Sequence, residues 1–365
     1  MDNSKNSNNI KFNWPFVGNN HIIEFLSKSI LNNNISQSYI FLGPNNLGKT
    51  TIANYFAKSL LCRQMENKDG KAEIILPCNN CPSCSQFRDS VSSSDNLAGD
   101  SDNPVNIMHG DFHLIKRAKD KKDISIGQIR EFINILSMSS FLGTYKIGII
   151  KNADSLNEKA ANALLKTLEE PKDKVVIILT AASAKSIPET IISRSQVLNF
   201  YSVKADIIYD YLIKNYNAPR SAAKNLSRLC LGRPALAVKF FENKEFYNNY
   251  IEKVDVFLNF INQDVNKRFD NIKGLLTQDS NQESAKTAFK AIDIWKGLAR
   301  DFLLMELGEI DLIQHQIVSD KLDRQRGNIW IDKLLDWFKI LSEGEEYLKA
   351  NVNPELVLEN IAANI

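Results

Sequence analysis

Surplus charge is missing from this chain. Its 365 residues carry 45 Lys+Arg against 43 Asp+Glu, a formal net charge of +2, so overall charge gives no sign of a nucleic-acid surface. Long apolar runs are missing too: no uninterrupted stretch is long enough to span a bilayer, and no membrane role is expected. The opening MDNSKNSNNI is polar and lacks the apolar region of a secretory signal. Cysteine is scarce, with five residues. Without a secretion signal the expected compartment is the reducing cytoplasm, where thiols favour metal over disulfide. Hydrophobic residues make up 44%, ample for sizeable cores, and the length predicts two or three domains.

Four of the five cysteines are grouped. Cys78, Cys81 and Cys84 form C-x2-C-x2-C, and Cys62 precedes them by fifteen intervening residues. The tight triple can place three thiolates around one ion, and Cys62 can close a tetrahedron from the end of a preceding helix. Four thiolates leave no open coordination position, so the spacing predicts a structural Zn²⁺ site. His109 and His113 follow as alternative ligands and are read instead as loop and strand-edge histidines. Cys230 sits in an apolar helical pattern and is read as core.

GPNNLGKT at Gly43–Thr50 fits G-x-x-x-x-G-K-[ST], the pattern of a phosphate-binding loop. Its glycines let backbone N–H groups turn inward around phosphate oxygens. Lys49 would reach the β- and γ-phosphates, and the Thr50 hydroxyl would face Mg²⁺. Asn46 and Thr51 complete the candidate nucleotide-binding set with Gly43, Gly48, Lys49 and Thr50. The apolar run Tyr39–Leu42 predicts a buried strand before the loop. The spacing over Thr51–Cys62 predicts a helix after it, whose N-terminus adds to the anion site. The expected ligands are ATP or ADP with Mg²⁺. A second segment, KIGIIKNADSLN at Lys146–Asn157, looks like the strand that should carry metal-binding and water-orienting carboxylates. Lys151 and Asn152 stand where that acidic pair would stand.

Along the chain, residues 1–10 are Asn- and Ser-rich and read as a disordered tail. Asp89–Asn103 reads as a flexible polar insertion. Residues 11–203 read as an α/β phosphate-loop domain carrying the cysteine module at 62–84. Its expected strands are Phe112–Ile115, Ile147–Ile150 and Val175–Thr180, with helices at Ile126–Met138 and Asn157–Glu170. Strands separated by helices predict a parallel sheet covered on both faces. After Val203 strand signals fade. Asp206–Asn215, Arg220–Leu231 and Pro234–Glu242 form a helical trio, read as a small lid at 204–243. The long amphipathic stretches Glu245–Ile261, Ser284–Leu307 and Trp330–Leu348 predict a helical domain at 244–365. Trp295, Trp330 and Trp337 are read as core.

ALLKTLEEP (Ala163–Pro171) followed by TIISRSQ (Thr190–Gln196), together with the phosphate loop and the cysteines, resembles the clamp-loader branch of the AAA+ ATPases. These proteins load the ring-shaped sliding clamp for the replicative DNA polymerase. The resemblance covers residues 14–243 well; the C-terminal part matches in length and helicity only. It implies an AAA+ fold with an all-α oligomerising collar. The implied partners are the gamma/tau motor subunits, the delta subunit, the sliding clamp and primer–template DNA in the replisome.

Within that family, motor subunits end the second strand with Asp–Glu, where this chain has Lys151–Asn152. Ala181 and Ala182 occupy the place of the polar sensor, with Thr180 and Ser183 as nearby hydroxyls. The long C-terminal extension seen in tau is absent from this sequence. The expectation is a subunit that accommodates nucleotide without turning it over. Ser193–Arg194–Ser195 resembles the family's Ser–Arg–Cys motif, which implies that Arg194 acts in trans on a neighbouring subunit's γ-phosphate; read without the resemblance, it is a surface arginine in an ordinary salt bridge. Arg233 has two readings, a nucleotide-contacting lid arginine or a cap at a helix junction. The basic run Lys116–Lys122 is read as a solvated loop, and Glu169 and Glu170 as surface charges. Two rivals remain open. One is an active motor using Asp154, which by position should point elsewhere. The other is a zinc-stabilised nucleic-acid-binding module outside replication.

Overall fold

The computed structural model describes residues 10–65, 74–96, 106–118, 121, 123–142, 144–170, 172–276, 281–324, 327 and 329–365. The chain divides into two compact units, Met1–Val203 and Lys204–Ile365.

The first unit runs β1 (Ile10–Phe12), α1 (Asn20–Leu31), β2 (Ser38–Leu42), α2 (Lys49–Leu60), β3 (Ile74–Leu76), α3 (Pro82–Asn96), β4 (Asn106–His109) and β5 (Phe112–Ile115). It continues with α4 (Ile126–Ser137), β6 (Lys146–Ile150), α5 (Glu158–Glu169), β7 (Val175–Ala181), α6 (Glu189–Ile192) and β8 (Gln196–Asn199). Six strands form one sheet in the order β4-β5-β6-β7-β2-β8. Five are mutually parallel, and β4 joins the edge antiparallel to β5. Strands β1 and β3 form a separate parallel pair.

Every residue of β2, β6 and β7 is buried, because helices cover both faces of the sheet. The alternation of a strand sends Tyr39 and Phe41 to one face, where they pack with Ile22, Leu26 and Phe56 of α1 and α2. Ile40 and Leu42 go to the other face, with Phe132, Leu164 and Leu168 of α4 and α5. The second helical layer sits close: a Cβ at Gly148 of β6 would meet the Phe132 ring at 2.3 Å. Helix α4 starts with a capping box between Ser125 and Gln128, and α5 starts where the Asn157 side chain accepts from Ala160 N–H. The unit is thus an α/β arrangement, a largely parallel sheet between helical layers.

Three expectations change here. The polar stretch Asp89–Asn103 is not a loop throughout. Helix α3 runs to Asn96, because Phe87 and Val91 give its Ser-rich sequence an apolar side that packs on the core; residues 97–103 lie outside the described ones. Of the 1–10 tail, residues 1–9 are likewise outside, and Ile10 is already in β1, paired with Ile74. His113 is not at a strand edge: it is buried within β5, between β4 and β6.

The second unit is helical throughout its described residues: α7 (Ala205–Tyr216), α8 (Arg220–Leu229), α9 (Pro234–Glu242), α10 (Lys244–Phe260) and α11 (Val265–Leu275), then α12 (Asn281–Glu306), α13 (Ser319–Asp323), α14 (Ile331–Lys349) and α15 (Pro354–Asn364). Trp295 and Trp337 lie in its core against Phe257, with Phe260 on Trp295 and Phe302 on Trp337. Trp330 does not belong to that core and is 84% exposed. It occupies the N-cap of α14, one residue outside the helix whose buried stripe is Leu334, Trp337 and Leu341. No described helix is long and apolar enough to cross a membrane.

Candidate functional site

Strand β2 ends at Leu42, and α2 begins at Lys49. The intervening loop turns through three left-handed positions, Gly43 (φ 144), Asn46 (φ 64) and Gly48 (φ 88). Asparagine tolerates that region better than most residues, and the glycines reach it without steric cost. Both glycines are also sites of close approach. A Cβ at Gly48 would meet the Phe16 ring at 2.3 Å, and one at Gly43 would meet the Phe200 carbonyl at 2.6 Å. The loop is tied to the sheet where Gly43 N–H donates to Ala181 O at 3.2 Å. Lys49 is buried, and its Nζ donates to the carbonyls of Gly43 and of Pro44. Burial pulls its pKa down to about 8, with the Asp154 carboxylate acting in the opposite direction. Thr50 and Thr51 follow in the first turn of α2. The six candidate nucleotide-binding residues thus lie on one strand–loop–helix corner, with the positive end of a 12-residue helix behind it.

Strand β6 ends on the same edge of the sheet, separated from β2 by β7. Past Ile150, Lys151 N–H donates to Ile115 O at 2.8 Å. Asn152 turns left-handed (φ 55) and its N–H donates to the buried Thr180 hydroxyl at 3.1 Å. Thr180 therefore supports this turn, and Ser183 caps the short helical turn at Ala184–Ser186. Asp154 lies past an irregular strand end. The left-handed Asn152 and the 3-10 turn Ala153–Ser155 redirect the chain. The Asp154 carboxylate accepts from Ala182 N–H at 3.3 Å and acts on the charge of Lys49.

Arg194 follows α6. Its Nη2 pairs with Glu169 Oε1 at 2.7 Å, with the two side chains 36% and 48% exposed. Its Nη1 donates to Thr190 O at 2.9 Å and to Ser193 Oγ at 3.2 Å. Ser195 bonds Ile191 O at 2.9 Å and Ser38 Oγ at 2.7 Å, fastening this segment to the start of β2. Glu169 as the partner of Arg194 escaped sequence reasoning. By sequence Glu169 reads, like Glu170, as a surface charge, and no local spacing links it to Arg194.

The cysteines converge. The sulfurs of Cys62, Cys78, Cys81 and Cys84 all lie within 4.8 Å of one another. Four thiolates ~2.3 Å from one ion sit roughly 3.8 Å apart, and Cys78 and Cys84 are 4.0 Å apart. Backbone N–H groups point at sulfur: Cys78 at Cys62 (3.5 Å), Cys81 at Cys78 (3.3 Å) and Cys84 at Cys81 (3.4 Å). The hydrogen bond with Cys84 holds the Cys62 thiol far below its ordinary pKa, and the same contact pushes Cys84 up. Four thiols packed this tightly cannot all ionise without a cation among them. The cluster can hold a metal ion. Neither His109 nor His113 joins it. His109 Nε2 instead bonds the Ser83 hydroxyl at 3.0 Å, and that hydroxyl donates to Leu61 O at 2.7 Å. This ties the cysteine module to β4.

Cys230 is buried in the second unit. Arg233 there is the N-cap residue of α9, before Pro234 in the first turn, and its Nε donates to Cys230 O at 3.1 Å. Of the basic run, Lys116, Arg117 and Ala118 continue from β5 as loop, and residues 119, 120 and 122 lie outside the described ones.

The phosphate-loop motif, the largely parallel helix-covered sheet and the four-cysteine module together fit a clamp-loader protein. Residues 18–204 match the family described as DNA polymerase III, delta subunit, and the chain belongs to that family, as a clamp-loader protein of the delta-prime type. It is 25% identical to the DNA polymerase III subunit delta' of Bacillus subtilis over 93% of this chain and 94% of that one. It is 31% identical to the tau subunit of the same organism over 55% of this chain, and spans only 31% of that protein's length. A solved Thermotoga maritima protein, described as DNA polymerase III gamma-subunit-related, aligns with 93% of this chain and 97% of its own at 18% identity and a TM-score of 0.48.

Proposed function

We propose that this chain completes the ring of a DNA polymerase III clamp loader as a subunit that holds nucleotide without hydrolysing it. The observation that carries the reading is the contrast at one edge of the sheet. The phosphate loop there is complete, while β6 leads into Lys151 and Asn152. Neither side chain can hold Mg²⁺ through a carboxylate or polarise an attacking water. A lysine near the metal position would also repel the cation. The nucleotide would be ATP or ADP with Mg²⁺, cradled by Gly43, Asn46, Gly48, Lys49, Thr50 and Thr51.

In this reading Arg194 acts in trans. Its guanidinium is partly exposed on a short turn, and its own cradle lies elsewhere in the unit. It would place positive charge on the γ-phosphate bound by the adjoining gamma/tau subunit. The four cysteines would hold Zn²⁺ as a closed structural site. The trio α7–α9 would be the lid, and α10–α15 the collar that joins the chain to gamma/tau and delta. The assembled ring would grip the sliding clamp and primer–template DNA.

A second reading is an active motor that uses Asp154, which follows the left-handed turn at Asn152. The test is ATP turnover by the purified chain and by its Asp154→Asn variant. Turnover at background in both supports the first reading. Turnover lost with Asp154 supports the second.

A further inference from the structure

We infer that Glu169 is a positioning residue for Arg194, holding the guanidinium in the orientation from which it reaches the neighbouring subunit's phosphate. The inference rests on the in-trans reading of Arg194.

Arginine is costly to order. Its side chain has many rotamers, and much of that freedom is lost when it binds a phosphate in one geometry. Here that freedom is already restricted on two sides. Nη2 pairs with Glu169 Oε1 at 2.7 Å, and Nη1 donates to Thr190 O at 2.9 Å. The two anchors come from different elements. Thr190 lies one turn back on α6, and Glu169 is the last residue of α5. Together they fix the guanidinium plane, and Nη1 also donates to Ser193 Oγ at 3.2 Å.

The position of Glu169 argues for a role beyond solubility. A carboxylate in the last turn of a helix faces the negative end of the macrodipole, an unfavourable place that favours a cation nearby. Glu170, the C-cap residue of α5, adds a second negative charge. Arg194 supplies the compensating cation, so the end of α5 draws the guanidinium toward it. The Arg194 segment is itself fixed from behind, where Ser195 bonds Ser38 Oγ at 2.7 Å. Backbone and side chain are thus both held.

The test is a double-mutant cycle in the reconstituted loader, with clamp- and DNA-stimulated ATP hydrolysis as the readout. Arg194→Ala sets the scale as the rate lost when the guanidinium is gone. Glu169→Ala should show about half to four-fifths of that loss, a two- to fivefold fall at one site, the range an exposed ion pair supports. It should appear in kcat, with KM for ATP unchanged. In the Arg194→Ala background Glu169→Ala should have no further effect, a non-additivity that mere support of α5 would not produce. Glu169→Gln, which keeps an acceptor oxygen, should restore part of the rate, and it carries the test if the alanine variant fails to assemble. Rates unchanged in both Glu169 variants, or raised, with Arg194→Ala still deleterious, would overturn the positioning role alone. An unchanged rate in Arg194→Ala itself would overturn the in-trans reading beneath it.

Discussion

The ends of β2 and β6 lie on the same edge of one sheet, two strands apart, and they have kept different things. Past β2 stands a full phosphate loop, with left-handed Gly43 and Gly48 at points where any Cβ would collide. Past β6 the backbone is held by Thr180 and Ile115, but its side chains are Lys151 and Asn152. The strands themselves are both wholly buried. The comparison teaches that packing of apolar strand residues maintains the sheet whatever stands one residue beyond it. On the proposed reading, two side chains separate a cradle from a catalyst.

The sharpest way to break the comparison is through Arg194. If the hydrolytic role passes to the neighbouring subunit, Arg194→Ala should slow ATP hydrolysis at that one site by on the order of a thousandfold. The whole loader would slow less. Measurement is on assembled complex shown to contain the variant, and fold and assembly should be unaffected.

Next in size is Gly48→Ala. A non-glycine residue at φ 88 is strained, and the added methyl meets Phe16, for a cost of about 1–3 kcal/mol. If the cradle is used, nucleotide affinity should fall about ten- to hundredfold, read by a fluorescent ATP analogue. Unchanged affinity would mean the loop no longer binds nucleotide.

A smaller effect should follow pH. In the proposed role Lys49 would bind phosphate as a cation, and burial pulls its pKa down to about 8 from 10.5. Its charge is present below about pH 8 and is lost as pH rises through that value. Affinity should therefore fall with rising pH, by up to about tenfold between roughly pH 7 and pH 9. Lys49→Ala should abolish the dependence.

The smallest change at the cradle should come from the cysteine module. Purified protein should carry about one Zn²⁺ per chain, and Cys81→Ser should lose it. Nucleotide affinity should stay within about twofold, because the module sits at the far end of the 12-residue α2, roughly 18 Å from the cradle. Metal-free wild-type protein with four freely titrating thiols would contradict the site.

Much of this was legible in the sequence, for reasons that vary by region. The loop at Gly43–Thr50 was readable because its residues are contiguous and its glycines answer a backbone need. The cysteine cluster was readable because metal ligands obey spacing. The helices of the second unit followed from apolar periodicity, although Trp330 was misplaced because an N-cap residue shares the composition of the stripe without its direction. Helix α3 was obscured by serines that hide the apolar side carrying Phe87 and Val91. The direction of Asp154 depends on a left-handed Asn152, and the Glu169–Arg194 pair joins two helix ends brought together only by the sheet. Neither leaves a local signal.

The account rests most directly on ATP hydrolysis by the isolated chain, measured beside its Lys49→Ala variant. It predicts that both stay at background. Steady turnover by the wild-type chain that disappears with Lys49 would show that β6 or its following turn does supply a catalytic acid, and would contradict it.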